Sequence, residues 1–281
     1  MLLGTIGLLS AAVSALVCFA CDAFSGPWWP LWMLLGLVCS FLIFGVLAFL
    51  VLWFFCKIVD FHRPQEHDSK LYRGILRWYI PAAMTILQMK VHKKGLENIP
   101  ADGRFLLVCN HINDMDPVTL LGMFPKSQLA FITKRENMNM FLVGKVMHKI
   151  LCQPINREND REALKTILNC IRLIQEDKVS IAVFPEGYTS LDGKLHKFRH
   201  GVFKIATKTK VPVVVCTLRN TNRIFGNALR LKPTHVHVHL VKVIEPEFYT
   251  DMTAVEYGEY VYGLMVEDLG PDLVLKYEEN A

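Results

Sequence analysis

Two long uncharged runs open the chain. Leu2–Ala20 is 19 residues without a charge, and Leu31–Cys56 is 26. At ~1.5 Å per residue, either can cross a hydrocarbon layer of ~30 Å as a helix. Between them Cys21–Pro30 carries Gly26, Pro27, Trp28, Trp29 and Pro30. Proline stops a helix, and tryptophan suits a membrane–water boundary. Residues 1–60 are therefore expected to form an N-terminal hydrophobic helical hairpin. A cleaved signal peptide is one alternative, because Cys18-Phe19-Ala20-Cys21 has the outline of a lipoprotein processing site, but no basic residue precedes the run. A hairpin that dips into one leaflet is another; span length favours crossing.

The next segment, residues 61–88, has a different rhythm. Across Ser69–Leu87, Leu71, Tyr72, Ile75, Leu76, Trp78, Tyr79, Ile80 and Met84 alternate with Lys70, Arg73 and Arg77. The spacing predicts an amphipathic helix, interrupted at Pro81, lying in the interface plane or packed as an ordinary linker helix. From Met89 onward, short apolar runs alternate with helical stretches. Strands are expected from Met89, over Phe105–Cys109, Leu129–Thr133, Val179–Phe184, Val211–Leu218 and Val236–Ile244. Helices are expected over Pro117–Met123 and Met138–Ile150, and where Leu164, Ile167, Leu168, Ile171 and Ile174 form an apolar stripe. The acidic tail from Asp251 predicts one more helix carrying Val255, Tyr262 and Leu264. Strands that alternate with helices define an α/β domain over residues 89–281, with a mainly parallel central sheet flanked by helices. No internal repeat, nucleotide fingerprint or low-complexity tract interrupts it.

Charge sharpens this division. Residues 1–56 hold one acid, Asp22, and no Lys or Arg; residues 57–250 carry a formal +13, and residues 251–281 a formal −7. A basic middle attracts an anionic leaflet, phosphate head groups or a coenzyme phosphate. Basic residues begin directly after the second apolar run, with Lys57, Arg63, Lys70, Arg73 and Arg77. The positive-inside rule puts the globular part in the cytoplasm, at the cell membrane. The eight cysteines have no paired spacing within the globular part and read as small buried hydrophobes in a reducing compartment.

The chemistry concentrates at Asn110-His111-Ile112-Asn113-Asp114-Met115-Asp116. This stretch follows a buried-looking strand, where α/β folds carry their polar site loops. His111 can act as a general base near neutral pH, with Asp116 on its other ring nitrogen. No GxSxG elbow supplies a nucleophile, so the substrate itself must bring the attacking hydroxyl. A second polar block, Phe184-Pro185-Glu186-Gly187-Tyr188-Thr189-Ser190, also follows an apolar run.

NHxxxxD followed by FPEG, each after an expected strand, resembles the lysophospholipid acyltransferase family, whose best-known members are the 1-acyl-sn-glycerol-3-phosphate acyltransferases of phosphatidic acid synthesis. The resemblance covers about residues 90–215. It implies an enzyme that moves a fatty acyl group from acyl-CoA or acyl carrier protein to the free hydroxyl of lysophosphatidic acid, forming phosphatidic acid directly. It implies no cofactor, no metal and no nucleic acid partner; the partners are a lysophospholipid, an acyl thioester and the membrane. His111 and Asp116 would be the catalytic pair. Asn110, Lys134, Arg157, Glu186 and Gly187 would bind the acceptor, with Arg157 at the arginine of the family's phenylalanine-isoleucine-aspartate-arginine block. The family pattern EGTRS is here Glu186-Gly187-Tyr188-Thr189-Ser190. Thr189 thus replaces an arginine whose planar fork grips phosphate, which opens the acceptor to another lysolipid; Lys194, Lys197 or Arg199 could substitute. Val211-Pro212-Val213 matches the start of the family's fourth block, with Val215 at its second proline.

Three competing readings remain. His235, His237 and His239 share one strand face, as a metal site would need, but no carboxylate or Cys partner is visible nearby, so an exposed strand face is expected. Cys109 beside His111 offers a Cys–His nucleophile, ranked below direct transfer because it ends a buried-looking strand. Finally, the fold could serve a non-catalytic membrane-binding protein, which the intact His111/Asp116 pair argues against.

Overall fold

The computed structural model describes residues 1–61 and 63–275. Helices α1 (Leu2–Ala20) and α2 (Trp29–Lys57) form the expected hairpin. Pro30 is tolerated in the first turn of α2, where its missing N–H would have had no helical partner. The Ser14 hydroxyl donates to the Met33 carbonyl at 2.6 Å, and Ser40 donates to Ser10 at 3.2 Å. A Cβ at Gly36 would lie 2.7 Å from Ser14 Oγ, so the glycine permits this approach. Beyond that seam the hairpin exposes apolar side chains such as Leu16, Phe19, Leu42 and Ile43.

Helix α3 (Lys70–Ile86) starts at the Ser69 cap and runs on through Pro81. The expected interruption at Pro81 does not occur. Tyr72 donates to the Phe55 carbonyl at 2.6 Å and Tyr79 to Ala48 at 2.7 Å, which holds the helix ahead of the proline, and beyond it Met84 packs against Gly122. These bonds also fasten α3 alongside α2. On its other side Arg73 pairs with Asp68 at 2.9 Å and donates to the Leu129 carbonyl, which joins the helix to the sheet.

The sheet has seven strands: β1 (Met89–Lys94), β2 (Leu106–Cys109), β3 (Leu129–Lys134), β4 (Gln153–Ile155), β5 (Ser180–Val183), β6 (Val213–Arg219) and β7 (Thr234–Ile244). Their order is β1-β7-β6-β2-β5-β3-β4. Only the β6–β7 pair is antiparallel. Strand β4 has three residues around Pro154, too short to leave a periodic signal. The remaining helices are α4 (Asp116–Met123), α5 (Val143–Lys149), α6 (Asp160–Gln175), α7 (Lys204–Thr209), α8 (Ile224–Leu229), α9 (Pro246–Tyr249) and α10 (Ala254–Leu269).

Strand alternation divides the core into two layers. Leu106, Val108, Ile181, Val183 and Val215 pack with Ile167 of α6, Ile205 of α7 and Val261 of α10. Leu107, Cys109, Ala182, Val214 and Cys216 pack with Tyr72 of α3, Leu120 of α4 and Ile224 of α8. Being buried on both faces, the central strands read as continuous apolar runs. The helix expected over Met138–Ile150 is instead a 3₁₀ turn, Arg135–Asn139, followed by α5, because Leu142 takes φ 61° between them. In α10 the buried face is Tyr257, Val261, Met265 and Leu269, while Val255 is exposed. The last part of the acidic tail, residues 276–281, lies outside the described residues. Strands β2, β3, β5 and β6 run the same way, so the loops after them gather at one edge of the sheet.

Candidate active site

At that edge the exit of β2 is tied to β6. The Asn110 amide oxygen accepts the Leu218 N–H at 2.7 Å, and its nitrogen donates to the Leu218 carbonyl at 3.0 Å. Buried and engaged at both ends, Asn110 positions the loop. The chain then turns into α4, whose first residue is Asp116. One oxygen of this fully buried carboxylate, Oδ2, accepts from His111 Nδ1 at 2.9 Å, the Ile112 N–H at 2.7 Å and the Asn113 N–H at 2.8 Å. Since Oδ2 can only accept, the proton of the neutral imidazole is assigned to Nδ1, which leaves Nε2 as the basic atom. Nε2 lies 3.0 Å from the Thr189 hydroxyl. The ring stacks on Phe184 at 4.2 Å, which holds its plane.

The second block wraps around the first. Glu186 is buried; its Oε1 accepts the His111 N–H at 2.8 Å, and Oε2 accepts the Ser190 hydroxyl at 2.6 Å and the His196 N–H at 2.8 Å. The Ser190 N–H donates to the His111 carbonyl at 2.7 Å. Burial pushes the Glu186 carboxyl above the usual glutamate value, against the opposing pull of these donors. Glu186 is thus a brace for His111. Gly187 sits at φ +81°, and a Cβ there would lie 2.9 Å from Arg199 Cδ, so the turn and the arginine's approach both require glycine.

Arg157 follows β4 and is half-buried. Its guanidinium is pushed below the usual arginine value by burial and then by the charge of Arg199. Among the described residues, neither guanidinium has a hydrogen-bond or ion-pair partner. Lys134 is more peripheral: its exposed ammonium lies 3.6 Å from Glu136. The structure therefore brings together His111, Asp116, Glu186, Gly187, Thr189 and Ser190, whereas Lys134 is engaged elsewhere. Only the match to EGTRS pointed to residues 189 and 190 in the sequence; their hydrogen bonds to the histidine left no local pattern.

Two alternatives are resolved by packing. Cys109 is sealed in the core, its thiol pushed well above the usual value by burial and then by Cys216, so no thiolate is poised beside His111. His235 and His237 are exposed and stack with His92. His239, expected on the same exposed face, is partly buried and pairs with Asp268 of α10 at 2.5 Å. That carboxylate comes from a distant helix, which is why no partner was visible near the strand.

The edge of the parallel sheet thus bears an imidazole braced by a buried carboxylate, with its outer nitrogen turned to a hydroxyl. Residues 90–219 match the acyltransferase family model. A chloroplastic 1-acyl-sn-glycerol-3-phosphate acyltransferase from Brassica napus is 32% identical, over 66% of this chain and 54% of its own length. A 1-acyl-sn-glycerol-3-phosphate acyltransferase from Borreliella burgdorferi is 28% identical, over 61% and 68% respectively. The chain spans about half the length of the plant relatives it matches. Among solved structures, the 1-acyl-sn-glycerophosphate (LPA) acyltransferase of Thermotoga maritima superposes with a TM-score of 0.60 at 27% identity, over 81% of this chain and 93% of that one.

Proposed function

We propose that this chain is a membrane-anchored acyltransferase that moves a fatty acyl group from a thioester, on coenzyme A or acyl carrier protein, to the free hydroxyl of lysophosphatidic acid. The observation that carries the reading is the direction of His111. With Nδ1–H on Asp116, Nε2 faces the Thr189 hydroxyl at 3.0 Å, and an acceptor hydroxyl displacing Thr189 would meet the same lone pair. His111 takes that hydroxyl's proton as the oxygen attacks the thioester carbonyl. The buried carboxylate of Asp116 stabilises the imidazolium that forms. The thiolate leaves and takes the proton back, so no acyl-enzyme is required.

Arg157 and Arg199 supply the phosphate contact that Thr189 cannot. Two neighbouring guanidiniums without partners are stabilised by a dianionic phosphate. The names of the relatives support this acceptor. The replacement of the family arginine by Thr189 favours a second reading, another lysolipid acceptor with the same chemistry. The hairpin fits a bilayer, and the positive charge that follows it fits a cytoplasmic site.

Purified full-length chain, assayed with both donor types against lysophosphatidic acid and a panel of other lysolipids, separates these readings. We expect thioester consumption that requires lysophosphatidic acid, and an Arg157→Ala, Arg199→Ala double variant whose KM for it rises at least about tenfold. Turnover with a different lysolipid alone would replace the acceptor; no turnover with any acceptor would leave a non-catalytic membrane-binding protein.

A further inference from the structure

The connection between β6 and β7 carries a feature that acyl transfer does not use. Helix α8 buries Ile224 but exposes Phe225 and Leu229, and the turn after it exposes Leu231; the two leucines are 88% and 81% accessible. Arg223, Arg230 and Lys232, all exposed, are interleaved with them. The turn is ordered: Arg230 and Lys232 donate their N–H groups to the Asn227 carbonyl at 3.0 and 2.9 Å, and Leu231 donates to Ala228 at 3.0 Å. A rigid backbone therefore holds large apolar side chains in water, at a cost that a partner would relieve.

The position of the tip identifies that partner. It follows the end of β6, the sheet edge that also carries His111. Thr234, directly beyond the tip, donates to the Gln88 carbonyl at 3.0 Å, next to the end of α3. Helix α3 is fastened along α2, so the tip and the hairpin belong to the same side of the domain. Two other connections at this edge also end in exposed apolar residues, Met140 and Phe141 after β3 and Leu191 after β5. Apolar side chains alternating with cations, beside an apolar hairpin, match a bilayer interface with anionic head groups.

We propose that the Phe225–Lys232 tip is a second membrane-docking point, inserting Phe225, Leu229 and Leu231 among the lipids while Arg223, Arg230 and Lys232 pair with anionic head groups. Docking at the hairpin and the tip together lays the His111 edge of the sheet against the bilayer. Docking at the tip is independent of which acceptor, if any, is acylated.

The test uses the full chain with its two exposed cysteines removed (Cys21→Ser, Cys39→Ser) and an environment-sensitive NBD label at Leu231→Cys. A second sample carries the label at Val255→Cys. Val255 lies at the opposite edge, because β7 ends against the first residue of β6. In phosphatidylcholine vesicles containing phosphatidylglycerol, emission from residue 231 is expected to rise and shift to the blue, while residue 255 remains water-like. Arg230→Gln with Lys232→Gln is expected to weaken docking about fivefold per charge removed. Equal emission from both positions overturns the proposal, as does equal emission from residue 231 with and without phosphatidylglycerol. A change that follows protein concentration in detergent, with no dependence on vesicle charge, would assign the tip to a second copy of the chain and likewise overturn it.

Discussion

Among the described residues, two of the imidazole–carboxylate pairs meet through Nδ1 and differ in their surroundings. His111 Nδ1 meets Asp116 at 2.9 Å, and His239 Nδ1 meets Asp268 at 2.5 Å. In the first, the carboxylate is wholly buried and its contacting oxygen also gathers two backbone N–H groups of its own turn. The histidine's other nitrogen faces a hydroxyl at the site edge. In the second, the carboxylate is shared with the Thr217 hydroxyl at 2.6 Å and with Arg219, so it latches α10 onto β6 and β7. A His–Asp contact alone therefore says little about chemistry. What separates the proposed base from a latch is whether the acid's remaining bonds organise the histidine's own turn or distant elements, and what the far ring nitrogen meets.

The sharpest way to break this comparison is to remove each ring in turn. His111→Ala should lower acyl transfer about 10²–10⁴-fold and leave the melting temperature nearly unchanged. His239→Ala should retain activity and lose about 1–2 kcal/mol in denaturant unfolding. Equal activity losses in the two variants would erase the distinction.

The acids give a smaller contrast. Asp116→Asn can keep one oxygen toward all three donors, but its amide nitrogen then falls where Oδ1 now lies, buried and without a partner. We expect about 1–3 kcal/mol of lost stability, together with a fall in kcat from the missing negative charge beside the imidazolium. The pH dependence of kcat should change in this variant and not in Asp268→Asn.

The smallest effect is on acid stability. Burial pushes the Asp268 carboxyl up, but Thr217, His239 and Arg219 together hold it below the usual aspartate value. A depressed carboxyl adds stability that is fully present above its unfolded value of about 3.9 and is lost as pH falls through the lower folded value. Unfolding followed below pH 5 should therefore show a steeper acid limb for the wild type than for Asp268→Asn; parallel limbs would remove Asp268 from the account.

The same contrast explains what was legible in the sequence. His111 and Asp116 are five residues apart in one turn, so their pairing is written locally, and the long apolar runs of β2, β5 and β6 announced a buried parallel sheet. His239 and Asp268 come from separate elements that meet only through packing, and no spacing rule reaches across them. Asn110 and Glu186 suit acceptor binding by type and position, and only the fold reveals that Leu218, Ser190 and His196 engage their polar atoms. Pro81 marked a break that packing of α3 before and after it overrides, at Tyr79 and at Met84, and Leu142 introduced one where the hydrophobic pattern had none.

The two-sided grip on the His111 peptide, its N–H held by Glu186 and its carbonyl by Ser190, has an evolutionary reach. Between those anchoring residues the loop carries Tyr188 and Thr189, whose side chains take no part in holding that backbone. Residues 188 and 189 can therefore be exchanged, as an arginine for a threonine, while the His111 backbone stays in register.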